Sequence, residues 1–459
     1  MDHTRITPGL AVVLLAVSCS GSGGSGADKK GATTTEPDTV APVTLATVPP
    51  SQRVDLEPPT FSHPTTVDNP LFPISNQRSA VYLGNDEGST LKVEVTLLPE
   101  TRTIEVDGTR TEVVISQFVS FIGGRVSEVT FDWYAQDDTG AVWFFGEDVT
   151  RYEDGVVLDH EGSWQAGEDG AKPAMMMPAQ PRVGDVFRTE DVPDAIVEEV
   201  VVKELGVTVP GPRGPVPGAM VGQELHILEG LAEDKTFAPR YGEFISGIGS
   251  NTEVMALDLP VDARQGPPPA ELTAIVDGAA ADLEAADTAN WAGIASAGDA
   301  VEAAWARYKA AGDVPPLLAI QMDRAVRSLT GDALSPAEAD RNVEGVREGA
   351  IRVAQAGLDL QLQYRPPAGI DLDRLEWWAR QLVVDSSSAE PDPGRIAGDV
   401  ATMELIWQRL GATGRAPGAD AAKAQLDALR HAADTEDVMF ARRAAPRLVE
   451  AIAAVTRPA

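Results

Sequence analysis

Six carboxylates crowd one stretch of this chain: Glu147, Asp148, Glu153, Asp154, Asp159 and Glu161. Two such groups about 5 to 10 Å apart could serve as acid and base in glycoside cleavage. Several together could hold Ca²⁺, which prefers oxygen ligands. The stretch has no Asp-x-Asp-x-Asp-Gly loop, however, and a chain with 70 acids against 37 Lys and Arg reaches this density without any site. No Gly-x-Ser-x-Gly elbow presents a serine nucleophile, and no Walker A loop is present. Gly247-Ile248-Gly249 lacks the following helix glycine and reads as a turn. His160, His226 and His431 lie in different segments without a Glu-x-x-His pattern, and each reads as a structural histidine, satisfied or exposed. The single cysteine, Cys19, excludes a disulfide framework and any Cys-based zinc site. The sequence nominates no catalytic residue, no metal ligand and no cofactor.

The remaining candidates are apolar. Trp133, Trp143, Phe145 and Trp164 fall on strand-like stretches. They form either the core of a small sheet or the lining of a cavity for an apolar ligand such as an acyl chain. Met175-Met176-Met177 is either an adaptable contact surface or a hydrophobic loop, since consecutive side chains cannot share one wall. Trp291, Trp305, Trp377, Trp378 and Trp407 stand among alanines as packing anchors. Trp377 and Trp378 are adjacent and cannot face one core, which puts one of them at a domain interface or groove.

The elements that carry these residues change period along the chain. From about 69 to 259 the signals are for strands. Lys92–Leu97 alternates polar and apolar, and Thr101–Val106, Thr111–Phe118 and Arg125–Tyr134 are rich in β-branched or aromatic residues. Val142–Phe145, Val156–Leu158, Glu198–Leu205, Gln223–Glu229 and Thr252–Leu259 continue the series, giving nine to eleven strands. Asp107-Gly108 and Gly123-Gly124 mark hairpin turns, and Asp137-Asp138-Thr139-Gly140 fits a tight turn between two strands. Residues 263–269 form a Pro-rich linker. Beyond it alanine dominates and the apolar period becomes helical. Helices are expected over Ala270–Asp287, Thr288–Ala311, Pro315–Leu329, Pro336–Tyr364, Asp371–Val384, Pro393–Leu410, Ala419–Ala433 and Thr435–Val455. The predicted fold is α+β and multidomain: an antiparallel β-meander or half-barrel over 68–262, then an all-α helical bundle over 270–459.

The N-terminus gives an address. Arg5 precedes a short apolar run, Leu10–Val17, far below the roughly 20 residues needed to span a bilayer. It ends in Ala16-Val17-Ser18-Cys19, which resembles the lipobox of bacterial lipoproteins. The resemblance implies a signal peptide over 1–18 and acylation of Cys19, hence a membrane partner through the lipid anchor and a place on the extracytoplasmic face of the cell membrane. The Gly-, Ser-, Thr- and Pro-rich stretch 19–67 reads as a flexible tether. The net charge of -33 argues against nucleic acid as a partner. Over 68–262 acids outnumber bases 35 to 13, so the β domain carries most of the field.

Asp68-Asn69-Pro70-Leu71-Phe72-Pro73, Asp132-Trp133-Tyr134-Ala135-Gln136-Asp137 and Gly140-Ala141-Val142-Trp143-Phe144-Phe145-Gly146-Glu147 together resemble the motifs of a family of uncharacterised secreted bacterial proteins. The resemblance covers about two-fifths of the chain and implies no activity. The function expected is therefore non-catalytic: binding or scaffolding in the cell envelope, with a lipid or an envelope protein as the bound species. The alternatives are an acidic-residue envelope hydrolase and an accessory protein of cation uptake.

Overall fold

A computed structural model describes residues 45–332 and 342–457. Cys19, with its lipobox, and the start of the expected helix Pro336–Tyr364 fall outside them. The chain expected as a tether through residue 67 is already laid on the sheet from Leu45 onward. The Leu45 amide donates to Ile227 O at 2.9 Å, the Val48 amide to Glu199 Oε1 at 3.0 Å, and Arg53 bridges Val186. Further along, Asp138 Oδ1 accepts from the Ser62 amide at 2.8 Å.

Fourteen antiparallel strands form one open sheet among the described residues. The first six are β1 (Ser79–Asp86), β2 (Ser89–Val106), β3 (Thr109–Ile122), β4 (Arg125–Gln136), β5 (Val142–Glu153) and β6 (Val156–Asp159). Short β7 (Trp164–Gln165) and β8 (Ala174–Met177) both pair with β5. The rest are β9 (Val186–Val192), β10 (Ile196–Gly211), β11 (Gly214–His226), β12 (Leu231–Ala238), β13 (Gly242–Ser246) and β14 (Thr252–Leu259). The spatial order is β6-β5-β4-β3-β2-β1-β14-β13-β12-β11-β10-β9. Two meanders are thus joined where the first strand meets the last. Asp107 (φ 50°) with Gly108 (φ 79°), and Gly123 (58°) with Gly124 (86°), make the two-residue turns the sequence predicts. The stretches Lys92–Leu97 and Thr101–Val106 are one strand, β2, with its register broken between Leu97 and Thr101.

Eight α-helices follow among the described residues: α1 (Ala270–Asp287), α2 (Trp291–Ala310), α3 (Pro316–Arg327), α4 (Val343–Gln361), α5 (Pro367–Ser386), α6 (Pro393–Arg409), α7 (Ala419–Asp434) and α8 (Val438–Ala453). Their starts have local causes. Asn290, Asn342, Asp392 and Asp437 each accept a backbone N–H of the first turn. Pro316, Pro367 and Pro393 occupy the first helical position, where the missing N–H is harmless.

The helices cover the outer face of the sheet in two groups. One core joins Val81 of β1 and Ala256, Leu257 and Leu259 of β14 to α1 through α5. The other joins Val119 and Phe121 of β3 and Val126 and Val129 of β4 to α5 through α8. Trp377 enters the first core and Trp378 the second, where it stacks on Phe121 with centroids 5.9 Å apart. The hairpin tip between β5 and β6 touches the start of α6 so closely that a Cβ on Gly155 (φ +82°) would lie 2.2 Å from Gly394 O. The linker is fixed too, with Arg264 donating to Gln363 Oε1 at 2.8 Å and Asp313 Oδ2 at 2.6 Å.

Buried charges tie the layers together. Lys92 and Glu94 of β2 meet Asp359 of α4, Asp371 and Arg374 of α5, and Arg409 of α6. The distances are 2.8 Å for Lys92–Asp359, 2.7 Å for Arg374–Asp359, 3.3 Å for Arg374–Glu94 and 2.5 Å for Arg409–Glu94. A second knot places Arg125 of β4 at 2.6 Å from Asp385, 3.0 Å from Asp399 and 3.2 Å from Glu348.

Candidate functional site

The inner face of the curved sheet encloses a hollow of about 200 Å³, lined from nearly every strand. Strand alternation decides what enters it, because successive side chains point to opposite faces. Along β4, Glu128, Thr130, Asp132 and Tyr134 point inward, and along β5, Phe144, Glu147, Val149 and Arg151 do so. Glu190 comes from β9, Glu198 from β10, Glu224 and His226 from β11, Glu233 and Lys235 from β12, Glu243 from β13 and Glu253 from β14.

One side of the hollow is aromatic. Phe72 meets Tyr134 edge-on with centroids 5.0 Å apart, and Tyr134 stacks on Phe144 at 4.9 Å. Phe118, Tyr82 and Phe237 extend this wall. The rest of the lining is largely acidic, and its charges fall into two sets.

The first set holds two cations. Lys235 Nζ lies 2.6 Å from Glu224 Oε2 and 3.5 Å from Glu233 Oε1. His226 Nδ1 is 2.7 Å from Glu198 Oε1, and its Nε2 is 3.6 Å from Glu233 Oε1. Burial pulls the His226 imidazole down, but its contacts with Glu198 and Glu233 outweigh burial and hold its pKa at about 10. Burial likewise opposes the Lys235 ammonium. The charges of Glu224, Glu243, Glu233 and Glu198 overcome it and keep the group well above its ordinary value. Glu233 is raised by burial and lowered more strongly by Lys235 and His226, to about 2.

The second set has no cation. Asp132, Glu147 and Glu190 make no salt bridge among the described residues, and Glu190 Oε2 is buried without a hydrogen-bond partner. Burial raises Asp132, and Glu128 of its own strand and Glu243 of β13 raise it further, to about 8. Glu147 is held well above the carboxylate range by burial, then by Asp132, Glu128 and Glu198. Glu190 is raised in the same way by burial, then by Glu198, Glu147 and Glu224. Glu128 reaches about 7 through burial, against the pull of Arg151. A carboxyl buried among like charges keeps its proton until a cation arrives.

The four aromatic residues singled out from the sequence stand elsewhere. Trp133 is on the opposite face of β4 from Asp132 and Tyr134, with the Arg102 guanidinium 4.0 Å above its ring. Trp143 donates its Nε1 proton to Asp137 Oδ2 at 2.9 Å, fixing the β4–β5 turn. Phe145 packs on Phe61 with centroids 5.6 Å apart. Trp164 meets the edge of Phe144 at 5.3 Å behind the lining and lies against Glu190. All four belong to one buried core. Met175 and Met177 are also in that core, and Met176 lines the hollow.

Of the six clustered carboxylates, Glu147 and Glu161 line the hollow. Asp159 and Glu161 form ion pairs with Arg151. Of the histidines, His160 Nδ1 contacts Val149 O at 2.8 Å on a loop, whereas His226 sits among carboxylates. The residues missed carried a readable signal: Glu224-x-His226, Glu233-x-Lys235 and Glu128-x-Thr130-x-Asp132 each put polar groups on one face of a strand.

No protein-family model matches the chain, and no curated protein matches it.

Proposed function

We propose that the protein is a non-catalytic binding protein of the cell envelope, held at the extracytoplasmic face of the membrane through acylated Cys19, whose hollow receives a small organic cation with an apolar body. The lipobox-like Ala16-Val17-Ser18-Cys19 supports the anchor. The observation that carries the ligand class is the set Asp132, Glu147 and Glu190, without a basic partner among the described residues and beside the aromatic residues Tyr134 and Phe144. An ammonium would ionise these groups and lie against Tyr134 and Phe144, whose faces attract cations. A neutral acyl chain would leave the carboxyls unmatched.

Binding by this route releases protons, because groups that are protonated in the free protein become carboxylates. Affinity for the cation therefore rises with pH through about 8, the value for Asp132. Calorimetry with 2-phenylethylammonium and with 3-phenylpropionate, its charge-reversed counterpart, tests this at pH 6 and pH 8.5 in two buffers. The expected result is binding of the ammonium alone, tighter at pH 8.5 and with proton release. Equal binding of both compounds, or of neither, would overturn the reading.

A further inference from the structure

We propose that Glu224, His226 and Glu233 form a site for a divalent transition-metal ion, with Lys235 as the built-in cation that the metal displaces. Each of the three offers a ligand atom within 4.8 Å of the others. Ligand atoms bound tetrahedrally at about 2.0 Å stand about 3.3 Å apart, and His226 Nε2 is 3.6 Å from Glu233 Oε1. His226 is 2% exposed, and its Nε2 has no hydrogen-bond partner although it is aimed into the cluster.

What separates this cluster from an ordinary patch of acids is that every ligand is fixed by its other end. The Glu198 carboxylate holds His226 Nδ1 at 2.7 Å, leaving Nε2 as the free atom. Such a carboxylate–histidine pair is the usual way a metal-binding imidazole is oriented. Thr189 donates its hydroxyl to Glu224 Oε1 at 2.8 Å, and the Gly247 amide donates to Glu233 Oε2 at 2.9 Å. The second carboxylate oxygens, Glu224 Oε2 and Glu233 Oε1, are the two that Lys235 Nζ approaches. One imidazole and two carboxylates suit Zn²⁺ and its first-row neighbours better than Ca²⁺ or Mg²⁺. Three protein ligands leave a coordination position open to the hollow.

On metal binding the Nε2 proton of His226 passes to solvent and the Lys235 ammonium swings away on its flexible stem. The ligands lie on β11 and β12, whereas Asp132 and Glu147 lie on β4 and β5 of the same hollow, so different variants test the two readings.

The test is Zn²⁺ titration of the chelator-treated full chain against a fluorescent competitor, with 2-phenylethylammonium binding measured on the same samples. One Zn²⁺ per chain is expected. His226→Ala and Glu233→Gln should abolish it, and Glu198→Gln should weaken it by about tenfold or more as a positioning residue. Lys235→Met should tighten it by about tenfold or more, because a competing charge is removed. That gain cannot come from misfolding, so it protects the test against variants that merely unfold. No Zn²⁺ bound by either wild type or Lys235→Met would overturn the proposal, as would unchanged affinity in His226→Ala. Loss of Zn²⁺ with ammonium binding intact would leave the hollow's proposed ligand class standing.

Discussion

Two sets of buried charges lie on opposite faces of the same sheet, and they are built differently. On the outer face Lys92, Arg374 and Arg409 balance Glu94, Asp359 and Asp371 one for one. On the inner face the carboxylates of the hollow far outnumber Arg151, His226 and Lys235. This outer network is solved within the chain and spans sheet and helices, unlike the neighbouring knot, where Arg125 alone meets Glu348, Asp385 and Asp399. Such a network orients the helices on the sheet, and breaking it strands a charge. The inner set is left unsolved, and protons make up the deficit. The balanced network thus serves assembly, and under the proposed function the unbalanced inner set serves a ligand.

The largest effect should come from breaking the balanced set. Arg374→Met leaves Glu94 and Asp359 short of a cation and should cost about 3–5 kcal/mol in urea unfolding. A loss below about 1 kcal/mol would erase the contrast between the faces. The double variant Asp132→Asn with Glu147→Gln should behave oppositely. These carboxyls have folded pKa values above their unfolded ones, with Asp132 at about 8. The stability they allow is complete below about pH 4 and drains away as pH rises through about 8. The double variant should therefore match wild type near pH 4 and exceed it increasingly above that, by about 2 kcal/mol at pH 9, a figure reduced for solvent in the hollow. A double variant less stable than wild type at pH 9 would mean that these groups are structural.

Asp282 of α1 sharpens the comparison as a lone case. It is fully buried, neither carboxylate oxygen has a partner, and burial lifts it to about 7. Asp282→Leu should stabilise by about 1–2 kcal/mol above pH 7, and the gain should vanish toward pH 4. Thermal melts at the two ends of that range check it. The smallest effect is expected at Arg102, whose guanidinium covers Trp133 from the outer face. Arg102→Gln should cost less than about 1 kcal/mol and leave ligand binding unchanged in the calorimetric assay.

What could be read from the sequence follows the range of the forces involved. Helix starts marked by proline were legible because proline acts within one turn of the site it defines, as at Pro393, whereas the Asn290 cap lay inside the expected helix Thr288–Ala311. Hairpins with Asp-Gly or Gly-Gly tips were legible for the same reason. β1, β7, β8, β9, β12 and β13 were missed. β1 ends in Gly-Asn-Asp, and β12 carries Glu233, Asp234 and Lys235 where an exposed loop would read equally well. The hollow was illegible because alternation gives two faces and does not say which one is concave. Trp133 and Asp132 are neighbours, and only the curvature of the whole sheet makes the acid, not the tryptophan, the lining residue. His226 was set aside because its partner Glu233 lies on the next strand and Glu198 lies 28 residues back.

The junction of β1 with β14 has a consequence in time. Ser79 pairs with Leu259, 180 positions later. The two meanders on either side are chains of local hairpins and can form as soon as their own residues are available. Their union requires closing a very long loop, a search that slows folding far more than it weakens the product. Until that union the newly made chain holds two half-shells, one bearing Asp132 and Glu147, the other Glu224, His226 and Lys235. Neither half-shell is a receptacle. The protein should acquire its fluorescence and circular dichroism early and its capacity to bind late, so the lag between the two signals would time the meeting of its first and last strands.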